Sequence, residues 1–353
     1  MLLCLSSGYR PRYRHDVLRA ISMPEGSHLQ FRYEANLIPE GLHEKMSTNK
    51  LANAEVCVAY LDRSDPAATP EIVPCRLATL IESHISGDIY ILKLCLREFL
   101  VAKDIKAFNI GIRTAASNLP YWHEKELRGS FCQEMTSLPT SIRKTKAIGD
   151  WQILATTLKQ HKDFANDPFF YLVQSLSSLD SNQDIEMLGN TYSVDANKSY
   201  QMTIIQYCPG GELDVSTIAE TYWLLARNED AQISFTTTKE IAVDSPYDEK
   251  KIRFRVSNPT HLTDSLITLL RQISPGSPDS SKAVLDFDLA LTIKPSSLLL
   301  FGKGVTVGAL ISVQGIAAIY LNPNIADKWL GYVIVGLAGL ITGIIASFGI
   351  RKL

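Results

Sequence analysis

The chain has 353 residues, more than one typical domain, and its net charge of -2 indicates no class of partner by itself. Its six cysteines show no CxxC spacing, and most of them lie in apolar runs typical of buried strands. We therefore expect reduced thiols in the core. The N-terminus is apolar before it is basic, which is the reverse of a secretory signal.

Residues 1–147 are predicted to form a cytosolic α+β domain. The spacing of apolar residues predicts three strands and two helices, at Met1–Ser7, His28–Glu34 and Glu55–Leu61, and at His15–Met23 and Pro39–Asn53. A long β-hairpin follows, with strands at Glu71–Ser83 and Ile89–Phe99 joined by a Ser-Gly-Asp turn. A domain boundary is expected near residue 147.

Residues 148–297 are predicted to form a second cytosolic domain, made of one helix and a β-sandwich-like part. The helix is expected at Asp150–Phe164, with Asp150 as its N-cap. From Pro168 onward, short strand patterns separated by turn residues favour a β-sandwich. One further helix, Leu262–Ile273, is expected to interrupt these strands.

Residues 298–353 are predicted to form a two-helix transmembrane hairpin, so the expected fold class is α+β, with a β-rich cytosolic region before this hairpin. Two runs, Val305–Leu321 and Trp329–Ile350, carry no charge and lie in expected spans of about 304–322 and 329–350. Basic residues flank the pair on its outer ends. The positive-inside bias then predicts a multi-pass membrane protein with both termini cytoplasmic.

Small residues form stripes within both predicted spans. Such stripes let helix backbones approach closely, which favours helix association in lipid and therefore an oligomer. A glutamine inside an apolar run needs a partner or water, so it is expected either to join helices or to line a pore. The residues predicted to pack the spans or line a pore are Gly308, Gln314, Gly315, Gly336, Gly339 and Gly343.

The best ligand signal is the stretch Tyr9–His15, in which aromatic rings alternate with guanidinium groups. Arginine binds phosphates through two parallel hydrogen bonds, and tyrosine rings stack on bases. The stretch therefore predicts a nucleotide or single-stranded DNA ligand, although a basic loop without a ligand is the alternative. A second basic patch alternates along one predicted strand. The candidate ligand-binding residues are Tyr9, Arg10, Arg12, Tyr13, Arg14, Lys251, Arg253 and Arg255.

No catalytic residues, metal site or cofactor are predicted. The seven histidines are scattered, with no HExxH motif and no cysteines at ligand spacing. Asp286 and Asp288 have the DxD spacing of nucleotidyltransferases, but they alternate with apolar residues as in a strand with one wet face. We therefore expect that the protein is not an enzyme.

A β-rich cytosolic region followed by a glycine-striped hairpin resembles the membrane effector subunit of Hailong-type anti-phage defence systems. In that family a C-terminal ion-channel domain carries an N-terminal crown domain, which binds a single-stranded DNA oligomer made by a partner nucleotidyltransferase. The resemblance implies a homo-oligomer in the lipid bilayer of the bacterial inner membrane, with a tetramer as the first expectation, that acts in abortive infection. The alternative is a membrane-anchored scaffold or receptor whose β-rich domain binds a protein.

Overall fold

The computed structural model describes residues 1–8, 11–63, 65, 70–115, 131–167, 169–210, 222–227, 232–237, 240–243, 245–259, 261–273, 283–296, 309, 312–314, 316 and 332–339. The helices are α1 (Pro11–Ser22), α2 (Glu40–Ser47), α3 (Ile105–Ala115) and α4 (Ile148–Lys159), with a 3-10 turn at Ala35–Leu37. The strands of the first sheet are β1 (Leu2–Ser7), β2 (His28–Glu34), β3 (Glu55–Asp62), β4 (Glu71–Ser86), β5 (Ile89–Ala102), β6 (Phe131–Glu134) and β7 (Ile142–Thr145).

The later strands form two further sheets, so the predicted β-rich character is present. Their bounds are β8 (Phe170–Ser178), β9 (Met187–Leu188), β10 (Thr191–Asp195), β11 (Ser199–Tyr207), β12 (Tyr222–Arg227), β13 (Ile233–Phe235), β14 (Glu240–Ala242), β15 (Tyr247–Val256), β16 (Thr263–Ile273) and β17 (Ala283–Lys294). One sheet has the order β14-β12-β16-β17-β10-β9, and the other has the order β13-β15-β11-β8. Apolar residues from all three sheets share one buried cluster.

The first sheet has the order β2-β5-β4-β3-β1-β6, and β7 pairs with β5. Strands β1 and β3 run parallel, with Leu2 opposite Val56 and Ser7 opposite Leu61, whereas the other pairings of this sheet are antiparallel. All six residues of β1 are buried, which matches its unbroken apolar sequence. Helix α1 joins β1 to β2 at the far edge of the sheet, so it crosses the sheet and meets several strands.

Two predicted helices differ from the structure. The segment predicted as the helix Leu262–Ile273 is strand β16, paired on its two sides with β12 and β17. Its exposure alternates, because Leu266 is 47% exposed and the next residue, Ile267, is 0% exposed. The spacing of the leucines fits a helix as well as a strand, and the pairing with a strand on each side explains why this segment is a strand. Helix α4 begins after Ala147, so Asp150 lies in the first turn and is not the N-cap.

The predicted C-terminal transmembrane hairpin is wrong. Within the residues that the structure describes, no helix is long enough and apolar enough to cross a membrane. The prediction rested on the apolar composition of the two runs, which a membrane span requires but which does not by itself establish one. The same finding contradicts the predictions of a multi-pass inner-membrane location and of an ion channel.

The residues predicted to pack these spans divide into two groups. Gly308, Gly315 and Gly343 lie outside the described residues. Gln314 is exposed, and a Cβ placed on Gly336 would meet open space, whereas Gly339 is buried. The packing role of the glycine stripe therefore stays a prediction.

Candidate anion-binding site

Helix α1 presents one polar face toward a cavity. Arg12, Asp16, Arg19 and Met23 follow one another at intervals of four, three and four residues, which places them on the same side of a helix. The opposite side carries Val17, Leu18, Ala20 and Ile21, which are buried in the core. The apolar side of the helix therefore packs in the core, and its polar side places two guanidinium groups and one carboxyl group at the cavity.

Strands β2 and β5 supply the adjoining wall. His28, Gln30 and Arg32 alternate along β2, while Leu29 and Phe31 between them are buried on the other face. Lys93 of β5 lies directly opposite Gln30 in the antiparallel pair, so its side chain belongs to the same face. Two more cations thus join those of α1.

The far wall comes from the second half of the chain. Asn190 precedes β10, Leu266 lies on β16, and Asp288 and Ala290 lie on β17. The Asn190 side-chain oxygen accepts a 2.7 Å hydrogen bond from the main-chain N–H of His28, which links the two walls. The cavity between them has a volume of about 590 Å³, within the range typical of small-molecule sites.

Positive charge dominates this cavity. Four permanent cations line it, Arg12, Arg19, Arg32 and Lys93, against the two carboxyl groups of Asp16 and Asp288. Within the part of the chain that the structure describes, neither Arg32 nor Lys93 forms an ion pair or a side-chain hydrogen bond. Cations that form no ion pair and converge beside a cavity are the arrangement that binds phosphate or another anion.

Two titratable groups of the wall have shifted pKa values because they are partly or largely buried. Burial raises the pKa of Asp16 to about 7, against the opposing effect of Arg19, Arg12 and Arg32. Burial, and then the nearby Lys93, lowers the pKa of His28. The His28 Nδ1 atom is also buried with no hydrogen-bond partner among the described atoms. Near neutral pH the imidazole is therefore neutral and the Asp16 carboxyl is partly protonated.

The described residues of the predicted basic stretch lie on different sides of α1. Tyr9 and Arg10 lie outside the described residues. Arg12 faces the cavity, whereas Tyr13 is 1% exposed and its ring is in the core. Arg14 turns the other way, where it pairs with Asp167 and lies over Phe164. Among the described residues of the predicted stretch, Arg12 is therefore the one that lines the cavity, and the buried Tyr13 offers no stacking ring.

The second predicted patch lies elsewhere. Lys251, Arg253 and Arg255 are exposed on one face of β15, as their alternation predicts. Lys251 pairs with Glu249 at 3.3 Å, and the Arg253 Nε atom donates to the Gln201 side-chain oxygen at 3.0 Å. None of the three lines the cavity, so the structure does not bring the two predicted patches together.

A separate polar cluster lies where β3 ends. The His161 Nδ1 atom is 2.7 Å from the Asp62 carboxylate, and the Tyr60 hydroxyl donates a 2.6 Å hydrogen bond to Asp163. Burial, followed by the bond to Asp163, raises the pKa of Tyr60 well above its ordinary value. No described serine or cysteine hydrogen-bonds to this imidazole. The contacts attach the segment after α4 to the first sheet.

Comparisons with known proteins add little. No protein-family model and no curated protein matches the chain. Among solved structures, it is similar to Bacteroides ovatus GH5 xyloglucanase in complex with a XXXG heptasaccharide, at 10% identity and a TM-score of 0.18. The match covers 35% of this chain and 19% of that chain, so it spans about a fifth of the xyloglucanase. A likeness of this size carries no argument about fold or function.

Sequence reasoning missed Asp16, Arg19, His28, Arg32 and Lys93 as site residues. The signal was present, because Arg12, Asp16 and Arg19 have helical spacing and the polar residues of β2 alternate. Counting basic residues along the chain ignores the side of the element on which each one lies.

Proposed function

We propose that the protein binds a phosphate-bearing nucleotide or short oligonucleotide in the cavity between α1, β2 and β17. The observation that carries this proposal is the pair Arg32 and Lys93, which form no ion pair or side-chain hydrogen bond in the described part and face the same space as Arg12 and Arg19. Arginine and lysine groups that converge in this way bind phosphate oxygens by charge-assisted hydrogen bonds.

The far wall favours a ligand with hydrogen-bond donors as well as phosphates. The exposed Asp288 carboxylate accepts a 2.6 Å hydrogen bond from Thr268 and keeps further acceptor capacity, and Asn190 lies nearby. Ribose hydroxyls and base amino groups are donors of this kind. A nucleotide can therefore place phosphates against the cationic wall and donors against the wall of β17.

The cavity favours a compact ligand over a long single strand. Proteins that bind single strands stack successive bases on aromatic side chains. No Phe, Tyr or Trp is found among the described residues that line this cavity. We therefore propose a mononucleotide, or an oligonucleotide of a few residues, as the bound species.

The predicted resemblance to the crown domain of Hailong-type effectors names one role in which such a ligand would be bound. In such a role, the cavity would hold the product of a partner nucleotidyltransferase and act as a signal receptor. The channel of those effectors is not part of this proposal, because no described helix is able to cross a membrane. A homo-oligomer stays a prediction.

The test is a titration of the full chain with ADP, ATP, the trinucleotide dTpTpT and a thymidine decamer. Arg32→Glu and Lys93→Glu should each weaken binding of the preferred probe by about tenfold or more, since each removes a phosphate contact worth roughly 1.5–3 kcal/mol. Arg253→Glu is the matched control, because it reverses an exposed strand arginine outside the cavity.

Several outcomes would reject the proposal. One is equal loss of binding in Arg253→Glu and Arg32→Glu. Another is the absence of binding to every probe, which would favour the receptor or scaffold for a protein partner. Tight binding of the decamer alone would reject the compact ligand. Affinity should also fall as salt rises, because phosphate contacts release counterions.

A further inference from the structure

The carboxyl group of Asp16 is an unusual neighbour for a phosphate. It is 5% exposed and lies on the cavity face of α1, one turn from Arg12 and one turn from Arg19. Its nearest cation is Arg19, at 3.7 Å, which is longer than a hydrogen bond, and it makes no hydrogen bond within the described residues. An anion that enters between these arginines meets a second negative charge if Asp16 is ionised.

We propose that the cavity takes up its anionic ligand together with one proton, which binds to the Asp16 carboxyl. This inference rests on the proposed function. In the reaction, a solvent proton bonds to one carboxylate oxygen, and the neutral acid can then donate a hydrogen bond to a ligand oxygen. One repulsive contact is replaced by one attractive contact, and the arginines are released to the ligand.

The charges around Asp16 support this assignment. On its own helix it faces Arg12 and Arg19. From β2, Arg32 and the buried Tyr33 are close enough to interact with it electrostatically, and His28 lines the same cavity. Lys93 of β5 and Asp288 of β17 complete the wall. Despite three arginines, burial still raises its pKa to about 7, so a small added negative potential is enough to protonate it near neutral pH. A bound anion supplies that potential.

The test uses sulfate, which has the shape and charge of a phosphate dianion but does not titrate near neutral pH. Calorimetric titrations in two buffers with different ionisation enthalpies measure proton uptake directly. For the wild-type chain, uptake should approach one proton above about pH 7.5, and the dissociation constant should rise by a factor approaching ten per pH unit there. This measurement needs no variant.

Two variants distinguish proton uptake by Asp16 from the general effect of removing a negative charge from the cavity. Asp16→Asn should bind sulfate without proton uptake and with a pH-independent affinity above about pH 7, where it should exceed that of the wild type. Asp288→Asn removes the other carboxyl group of the wall and is the matched control, because Asp288 is exposed. It should raise affinity at every pH and leave proton uptake unchanged.

The outcomes distinguish the two proposals. Sulfate binding that Arg32→Glu weakens, but that takes up no proton in the wild type, overturns the role of Asp16 and leaves the anion site standing. Equal proton uptake in Asp16→Asn and wild type also overturns it. If neither the wild type nor Asp16→Asn binds sulfate or any nucleotide, both proposals fall.

Discussion

The indole N–H of Trp151 donates a hydrogen bond of 2.9 Å to the main-chain carbonyl oxygen of Ile21, and both residues are fully buried. Ile21 lies in the last turn of α1, where carbonyl groups lack helical partners. The Arg76 guanidinium lies over Phe99 and donates to the carbonyl of Met23 just beyond the same helix. Trp151 of α4 and Arg76 of β4 thus donate hydrogen bonds to carbonyl groups at the C-terminal end of α1, the helix that carries Arg12 and Arg19.

Trp151→Phe should destabilise the protein by about 1–3 kcal/mol, because the Ile21 carbonyl would lose its buried partner while most of the ring volume remains. The measurement is the free energy of unfolding from urea denaturation. Ile153→Ala on the same helix is the control, since Ile153 is 49% exposed, and it should change stability by less than about 0.5 kcal/mol. Equal effects of the two substitutions would contradict the structural role of the bond.

Gly8 is held against the segment that follows α4. A Cβ at this position would overlap the Asp163 carboxylate, which also accepts the hydrogen bond from Tyr60. Gly8→Ala should therefore lower stability by about 1–3 kcal/mol through forced displacement. In Gly149→Ala the added methyl meets nothing within 4 Å, and a gain of roughly 0.5–1 kcal/mol is expected for a helical glycine. Thermal unfolding of the pair checks the contrast; a neutral Gly8→Ala would show that Asp163 moves freely.

Asp16 should make stability depend on pH. Its pKa is about 7 in the folded protein, above the ordinary value of 3.8. The contribution of the neutral carboxyl is therefore fully present below about pH 4 and is lost as the pH rises through about 7. The Tm advantage of Asp16→Asn over wild type should grow between these limits and then level off. A Tm difference that stays constant across this range would show that the carboxyl titrates as in the unfolded chain.

The Asn109 side chain hydrogen-bonds to the main chain at the start of β4, as a neighbouring strand would. Its side-chain oxygen accepts from the Ile72 N–H at 2.8 Å, and its side-chain nitrogen donates to the Ile72 carbonyl at 2.9 Å. Asn109→Ala should destabilise the protein by about 2–3 kcal/mol, because two buried main-chain groups lose their partners. Chemical denaturation measures it. Thr114→Ala on the same helix, where the hydroxyl is exposed, should be close to neutral, and a comparable loss there would point to α3 as a whole.

Much of the first sheet follows from local pattern. The predicted strand His28–Glu34 has the observed bounds, and the hairpin after residue 71 forms as expected. Strand β2 alternates along its length, whereas β4 is buried over most of its first half and was recognisable by its apolar run and the turn that follows. For β16 the local pattern is ambiguous, because its leucines also fit a helix, and its pairing with β12 and β17 decides. The C-terminal error has another cause, because the hairpin was predicted from apolar composition alone.

The site was only partly predictable. Arg12 was identified, but α1 begins at Pro11, which suits the first helical position, and not at His15. This earlier start rotates Tyr13 into the core and Arg14 toward Asp167. Lys93 joins the site only through its register with Gln30. A register between strands 60 residues apart depends on the folded sheet, and no local pattern contains it.

The pairing of β1 also has a consequence for biosynthesis. Its apolar residues, Leu2–Ser7, pair with residues 56–61 and 131–134, both made later. At about 5–20 residues per second, the strand waits roughly ten seconds for its second partner. During that interval it offers unpaired backbone groups to any extended chain nearby. The yield of folded protein should therefore depend on how fast the ribosome delivers β6 and on whether a chaperone shields the nascent strand meanwhile.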